Sequence, residues 1–359
     1  MNKIFSIQSV NSDPFLITWD LGRRCNYDCS YCPAHRHDNF SPHASLETLK
    51  KTTEFVFDYA SMIFSHRLNK DLHISFTGGE PTVNPNFIEF SKFIRFESLK
   101  HSQKFKTYLT LTTNGTMSKK TCQSVIENFD YVTVSYHCEA HINLKQQAIE
   151  RIYDFHSAGM NIKVNVMFHA DYFEECKKLC ERLRSDGIKF IPRVIGEDPD
   201  SPFSQAHRYT EDHKMWFKNF WNIDFTPTSR PCCGGRTFKI CSNEGSTETK
   251  VVLERNFKDW HCSVNWYFLH IEQQTELIYH HQTCQATLEN KRGAIGDLKN
   301  TELLLAQYKN YLDTKTMPII KCPNKLCGCG LCTPKGIDRE TLIGSLNTVI
   351  NNVEIFANE

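Results

Sequence analysis

Between residues 14 and 195, short apolar runs alternate with longer stretches whose apolar residues recur every three or four positions. The runs PFLITWDL (14–21), LHISFT (72–77), TYLTLTT (107–113), YVTVSY (131–136), IKVNVMF (162–168) and IKFIPRVI (188–195) read as strands. The stretches between them read as helices, for example through Leu46, Leu49, Val56, Tyr59 and Ile63. Strands separated so regularly by helices imply right-handed βαβ units and a parallel sheet. Six units are too few for an eight-stranded barrel, so the expectation is a partial (β/α)6 TIM-like barrel or an open sheet. In either case ligands gather at the carboxyl ends of the strands.

Residues 196–230 are polar, carry proline at both ends, and read as a connection around a short helical stretch. Beyond residue 231 the chain changes to short strands and turns, and nine of its sixteen cysteines lie there. Two domains are expected: a partial barrel over 1–225 and a small cysteine-rich α+β domain over 226–359. No internal repeat or low-complexity tract interrupts them.

Composition narrows the partners. The 359 residues are 40% hydrophobic and 23% charged, with a net charge of +1, which gives no general attraction to nucleic acid or anionic lipid. The N-terminus lacks the apolar core of a signal peptide, and no apolar stretch is long enough to span a bilayer, so a cytoplasmic location is expected. In that compartment sixteen cysteines are poor candidates for disulfides, and clustered ones are better read as metal or iron–sulfur ligands. Others are packing residues. Cys122 falls on a helical face with Val125, Ile126 and Phe129, and Cys176 and Cys180 share a stripe with Phe173 and Leu183.

The sharpest signal is CNYDCSYC (25–32), which places Cys25, Cys29 and Cys32 in the loop after the first strand. Three thiolates can hold a [4Fe–4S] cubane with one iron left open to an exogenous ligand. A structural zinc site wants a fourth protein ligand, for which only His35 and His37 stand nearby. The CxxxCxxC spacing, with an aromatic before the last cysteine on the first βα loop, resembles the radical S-adenosylmethionine (SAM) superfamily. That resemblance implies that the open iron chelates SAM and that electron transfer cleaves it to a 5′-deoxyadenosyl radical.

The same resemblance implies further SAM contacts. TGGEP (Thr77–Pro81) ends the second strand, where glycines allow close backbone approach; the matching family segment contacts the SAM amino group, which assigns Gly78, Gly79 and Glu80. TTNG (Thr112–Gly115) and VSYHCE (Val134–Glu139) end the third and fourth strands. By resemblance Thr113, Asn114 and Ser135 contact SAM, Asn165 on the fifth strand is added, and Tyr31 borders the adenine. His137 and Glu139 are candidates for facing the substrate cavity, and Cys138 can equally be packed inward. Each of these polar residues also has a simpler reading as a turn or helix-capping residue.

In the tail, Cys262 and Cys284 bracket two strand-like runs, followed by AIGDL (294–298) and KCPNKLCGCGLC (321–332) with Cys322, Cys327, Cys329 and Cys332. This layout resembles the SPASM/twitch extensions of radical SAM enzymes. No cysteine follows Cys332 and the hairpin turn EQQTE lacks glycine, so the resemblance implies one auxiliary [4Fe–4S] cluster. Its ligands are drawn from Cys262, Cys284, Cys322, Cys327 and Cys329, with Cys332 in reserve. A structural zinc knuckle is the alternative for the same thiolates. Cys232, Cys233 and Cys241 have no clear role, and at most one of them is a ligand.

Together these features imply reductive SAM cleavage, then hydrogen abstraction from an unactivated carbon, with oxidation or C–X or C–C bond formation as the outcome. A flavodoxin- or ferredoxin-type electron donor is implied as a partner. The substrate expected by resemblance is a ribosomal peptide or protein side chain, or a small metabolite such as an amino sugar or nucleoside. The strand starting by residue 14 leaves no room for an N-terminal leader-recognition domain, which such a peptide enzyme would then take from a separate chain. The neutral charge disfavours an RNA-modifying enzyme, and a non-catalytic metal-binding interaction protein is the remaining alternative.

Overall fold

The computed structural model describes residues 3–10, 13–33, 36–195, 206–221, 237–249, 256–281, 293–322, 333–351 and 353–356. Its strands are β1 (Ile4–Ser9), β2 (Phe15–Asp20), β3 (Asp71–Thr77), β4 (Lys106–Thr113), β5 (Tyr131–His137), β6 (Asn161–Phe168), β7 (Phe190–Val194), β8 (Phe238–Ser242) and β9 (Gly245–Thr249). Short strands follow: β10 (His261–Cys262), β11 (Phe268–Glu272), β12 (Leu277–Tyr279), β13 (Gly296–Asp297), β14 (Ile320–Lys321) and β15 (Lys335–Gly336). The helices are α1 (Leu46–Phe64), α2 (Phe87–Lys100), α3 (Lys119–Asn128), α4 (Ile142–Ser157), α5 (Phe173–Ser185), α6 (Glu211–Trp221), α7 (Thr301–Asp313) and α8 (Arg339–Leu346).

The six strands expected from apolar patterning are β2 to β7, and all five neighbouring pairs among them are parallel. The partial barrel is therefore the fold. Alternation sets its two faces. In β2, Phe15, Ile17 and Trp19 are fully buried on the outer, helix-covered face, whereas Leu16, Thr18 and Asp20 alternate with them. Trp19 packs on Phe76 of β3 at 5.5 Å and on Phe90 of α2 at 5.4 Å between ring centroids. Truncating such a residue costs about 3–5 kcal/mol. Helix α1 begins at Ser45, whose side chain accepts from Thr48 N, and buries Leu49, Val56, Tyr59 and Ile63. Pro192 sits in β7, the edge strand, where a missing N–H breaks no ladder.

Two sheet relationships join distant parts of the chain. The barrel sheet continues past β2: β11 pairs with β2 in parallel, and β12 and β13 follow antiparallel, giving the order β13-β12-β11-β2-β3-β4-β5-β6-β7. A second sheet, β14-β10-β15-β1-β8-β9, is antiparallel and places the N-terminal β1 between β15 and β8. Both sheets thus draw strands from either side of residue 225. Arg67, fully buried, fastens β11's approach to the barrel: its guanidinium donates to the Trp266 and Asp13 carbonyls and lies over the Tyr267 ring at 5.3 Å. Among the described residues no helix is long and apolar enough to cross a membrane.

Candidate functional site

The loop after β2 carries Cys25, Cys29 and Cys32, and its base is closed by backbone bonds from Cys25 N to Asp38 O (2.7 Å) and Asp38 N to Arg23 O (3.0 Å). Asp38 fixes the turn beyond by accepting from Phe40 N (3.1 Å) and from Ser41 N (2.7 Å). From there the loop is tied to the ends of three successive strands.

The first tie is to the segment after β3. Gly79 N donates to Gly22 O at 2.8 Å and Glu80 N to Arg24 O at 2.9 Å. The contact is so close that side chains are excluded. A Cβ at Gly79 would lie 2.2 Å from Arg23 O, and one at Gly78, whose φ is +137°, would lie 2.4 Å from Gly22 O. Both glycines of the TGGEP segment are therefore required by the cysteine loop itself. Glu80 turns inward and is 3% exposed. Its carboxylate accepts from Thr82 Oγ1 (2.6 Å), Thr82 N (3.1 Å), Thr113 Oγ1 (2.7 Å) and Asn114 N (2.6 Å). Burial pushes its pKa up while these donors pull it down.

The second tie is to the end of β4. Asn114 Nδ2 donates to Asn26 Oδ1 at 2.7 Å, and Asn26 Nδ2 donates to Thr116 Oγ1 at 2.7 Å. The third is to the end of β5. Glu139 accepts from Ser30 N and Ser30 Oγ, both at 2.8 Å, and its Oε2 lies 3.8 Å from His169 Nε2. His137 Nδ1 stands 3.3 Å from Cys29 Sγ and 2.6 Å from the Tyr31 hydroxyl, with the Tyr31 and His137 rings stacked at 5.9 Å. Burial lowers the His137 pKa to about 4, so the imidazole is neutral.

Cys25 and Cys29 each feel the charge of another cysteine of the loop. Burial pushes Cys25 up to about 11, with Glu80 and Cys32 adding to it and the Tyr27 N–H opposing. Cys29 is raised by burial, then by Glu139, Cys25 and Cys32; Cys32 is raised by burial against Arg36. Three soft donors that resist ionising side by side are a set that a bound cationic cluster stabilises as thiolates. Among the described residues no three metal-ligating side chains already converge on one point, and Cys29 Sγ is turned to His137. His37 bonds instead to Asp28 Oδ1 at 3.3 Å, and His35 lies outside the described residues.

The remaining expected contacts are distributed as follows. Ser135 and Asn165 are register partners on β5 and β6, alternate with buried residues, and Asn165 Oδ1 accepts from Arg193 Nε at 3.4 Å. Thr113 is turned outward to Glu80, and its neighbour Thr112 faces the barrel interior. That interior holds a cavity of about 260 Å³ lined by Thr18, Asp20, Ser75, Thr77 and Thr112, with Gly78 and Arg36 of the adjoining loops. Asp20, Arg36, Asn26 and Thr112 were not singled out from sequence. The even-numbered parity of residues 18 and 20 was a signal for the inward face of β2; nothing local marked Asn26.

In the tail, Cys262 of β10 and Cys322 after β14 are both buried. Cys262 opposes Ile320, and Cys322 N donates to Trp260 O at 2.8 Å, so alternation puts both cysteines on the same face, one step apart. Cys241 is buried in β8 opposite Ser6. Cys232, Cys233, Cys284, Cys327, Cys329 and Cys332 lie outside the described residues. Cys122, Cys138, Cys176 and Cys180 are buried in the main core.

A family model described as the radical SAM superfamily matches residues 19–202, the span of β2–β7 and their loops. The chain belongs to the radical SAM superfamily and is a radical SAM enzyme that uses SAM and a [4Fe–4S] cluster. It is similar to the antilisterial bacteriocin subtilosin biosynthesis protein AlbA of Bacillus subtilis (strain 168), with 29% identity over 116 residues. That match spans 32% of this chain and 22% of the relative's length. In fold it is similar to histidine-tagged anSMEcpe with bound AdoMet, at TM-score 0.51 and 16% identity over 82% of this chain and 80% of that one. Native anSMEcpe with bound AdoMet gives TM-score 0.50 at 16% identity over 81% and 80% of the two chains.

Proposed function

We propose that this enzyme modifies a peptide, with Cys25, Cys29 and Cys32 holding the SAM-binding cluster and SAM lying over the ends of β3 to β6. The observation that carries the assignment is the cysteine loop stapled to three strand ends, with both glycines of TGGEP pressed against its backbone. When bound, the cluster supplies the electron that cleaves SAM reductively, so that hydrogen is taken from a substrate carbon.

The chain's own residues position the participants. Gly78, Gly79 and Glu80 brace the loop, and Gly78 also borders the interior cavity. Asn114 holds Asn26, Ser135 and Asn165 present polar groups from neighbouring strands, and the neutral His137 anchors Tyr31 beside the loop. The interior cavity is where the substrate carbon would be held away from bulk water. Support for a peptide substrate comes from the bacteriocin-biosynthesis relative. An auxiliary [4Fe–4S] cluster on the tail cysteines is part of the proposal, supported by Cys262 and Cys322 sharing one face of a sheet. The division into a barrel over 1–225 and a cluster-binding unit over 226–359, and the use of a flavodoxin- or ferredoxin-type donor, are proposed with it.

The test is isotopic. The anaerobically reconstituted, reduced full chain is incubated with SAM and deuterated peptides taken from precursors encoded near its gene. Deuterium appearing in 5′-deoxyadenosine supports the reading. Transfer from deuterated amino sugars or nucleosides, with none from peptides, overturns it.

A further inference from the structure

The interior cavity offers more than space. At about 260 Å³ it has room for roughly nine waters at their liquid volume, enough for the end of one side chain. Thr18, Ser75, Thr77 and Thr112 supply hydroxyls, and Asp20 supplies a carboxylate whose Oδ1 would lie 2.6 Å from a Cβ at Gly78. Strand β11 extends the same wall, because register places His270 beside Thr18 and Glu272 beside Asp20, and registered neighbours in parallel strands point to one face.

Two carboxylates therefore stand side by side. Glu272 is engaged at its edge, with Oε1 3.9 Å from an Arg23 nitrogen and Oε2 accepting from Thr275 Oγ1 at 2.6 Å. Enclosure and the Glu272 charge push the Asp20 pKa up to about 7, although Arg36, the Gly22 N–H and Arg23 pull it down. Among the described residues no cationic side chain lies within ion-pair distance of Asp20, Arg23 reaching Glu272 instead. His270 stands on the same wall, 4% exposed, with its Nδ1 enclosed. Burial, with His281 and Arg36 adding to it, holds this imidazole neutral, so it brings no positive charge to the neighbourhood of Asp20.

We propose that this cavity receives the cationic end of the substrate, a primary ammonium or guanidinium such as a peptide lysine or arginine side chain presents, with Asp20 and Glu272 as its counter-charges. The proposal rests on the peptide-modifying reading and specifies its substrate class. A cation entering here meets the Asp20 carboxylate with Glu272 beside it and ionises Asp20 by displacing its proton, whereas an anion has only the Arg36 guanidinium of the lining in its favour.

The charged groups that bear on Asp20 are Glu272 from β11 and Arg23 and Arg36 from the cysteine loop, and the neutral His270 stands one inward position away along β11. From β3 and β4 come the hydroxyls of Thr77 and Thr112, with His73 two inward positions from Thr77 along β3.

The test titrates the reconstituted full chain by calorimetry with n-butylammonium and n-butylguanidinium, and with n-butanol and butyrate as neutral and anionic counterparts. The cations should bind selectively and tighten about tenfold from pH 6 to pH 8, as a group with pKa near 7 goes from a tenth to nine-tenths ionised. Asp20→Asn should lose that pH dependence. Glu272→Gln, usable should the first variant not fold, should move the midpoint to lower pH because the repelling charge is gone. Butyrate or butanol binding as well as the cations, or a pH profile unchanged in both variants, overturns the proposal. Formation of 5′-deoxyadenosine by the unmodified chain, followed in parallel, reports on the radical SAM assignment separately, so loss of cation selectivity with that product intact counts against the subsite alone.

Discussion

Glu80 accepts the backbone N–H of Asn114 at 2.6 Å, joining the end of β3 to the end of β4 through one buried carboxylate. Three further donors meet the same group, two from Thr82 and one from Thr113. Glu80→Gln replaces one acceptor oxygen by an amide donor facing these donors. The expected cost is about 2–4 kcal/mol, the range for charged-group hydrogen bonds lost with a buried donor left unpaired. Urea unfolding of the variant checks it; a loss under about 0.5 kcal/mol, the scale of an ordinary surface change, contradicts the carboxylate's role as a staple.

Gly79→Ala forces a methyl into the Arg23 and Arg24 carbonyls, both backbone and closer than 2.5 Å to the added atom. Neither can yield without moving the cysteine loop. Iron bound per chain after anaerobic reconstitution should fall by about half, the tail cluster remaining, with the fold retained by circular dichroism. Iron content equal to the parent chain's would mean that the loop is not seated on this glycine.

Glu139 holds Ser30 between two of the cysteines through paired bonds of 2.8 Å. Glu139→Ala frees that edge of the loop while leaving every thiol in place. The reconstituted variant should lose its visible iron–sulfur absorbance severalfold faster in air. An unchanged rate places the loop's rigidity elsewhere, with the β3 and β4 ties.

The hairpin of β11 and β12 gives an acid-sensitive stability. Burial lowers the pKa values of His270, His280 and His281 to about 4, with His281 and Arg36 also acting on His270. Between pH 6.5 and pH 4 the unfolded chain binds protons that the folded chain refuses, so stability is complete above 6.5 and is lost on acidification. A fully buried imidazole shifted this far contributes about 3 kcal/mol, and the half-buried His280 and His281 contribute less. Asp20 acts in the opposite sense, its raised pKa favouring the folded state as pH falls from 7 toward 4. His270→Gln isolates one histidine: its unfolding free energy should depend less steeply on pH over 6.5–4.5 than the parent's. Parallel pH profiles for the two proteins contradict a neutral, buried His270.

The local rules of the chain were well written in its sequence. Apolar runs at 72–77, 107–113 and 162–168 fall within a residue of β3, β4 and β6, because a strand buried under helices shows its period directly. The cysteine loop was legible too, since ligand spacing is a local property. What escaped depends on partners far along the chain. Ile4–Ser9 forms a strand only by pairing with Phe238–Ser242 and Lys335–Gly336, and Phe268–Glu272 joins the barrel by lying beside Phe15–Asp20; no periodicity announces which strand a strand will meet. Face was a second gap. Thr112 and Thr113 are adjacent and identical in chemistry, yet one faces the cavity and the other Glu80, and only the register of β4 against its neighbours distinguishes them.

The most direct test of the cysteine-loop assignment is SAM cleavage by the chain with Cys25, Cys29 and Cys32 all changed to alanine. After anaerobic reconstitution and reduction, the parent chain should yield 5′-deoxyadenosine and the triple variant none. Product formed by the variant at the parent's rate would contradict the account.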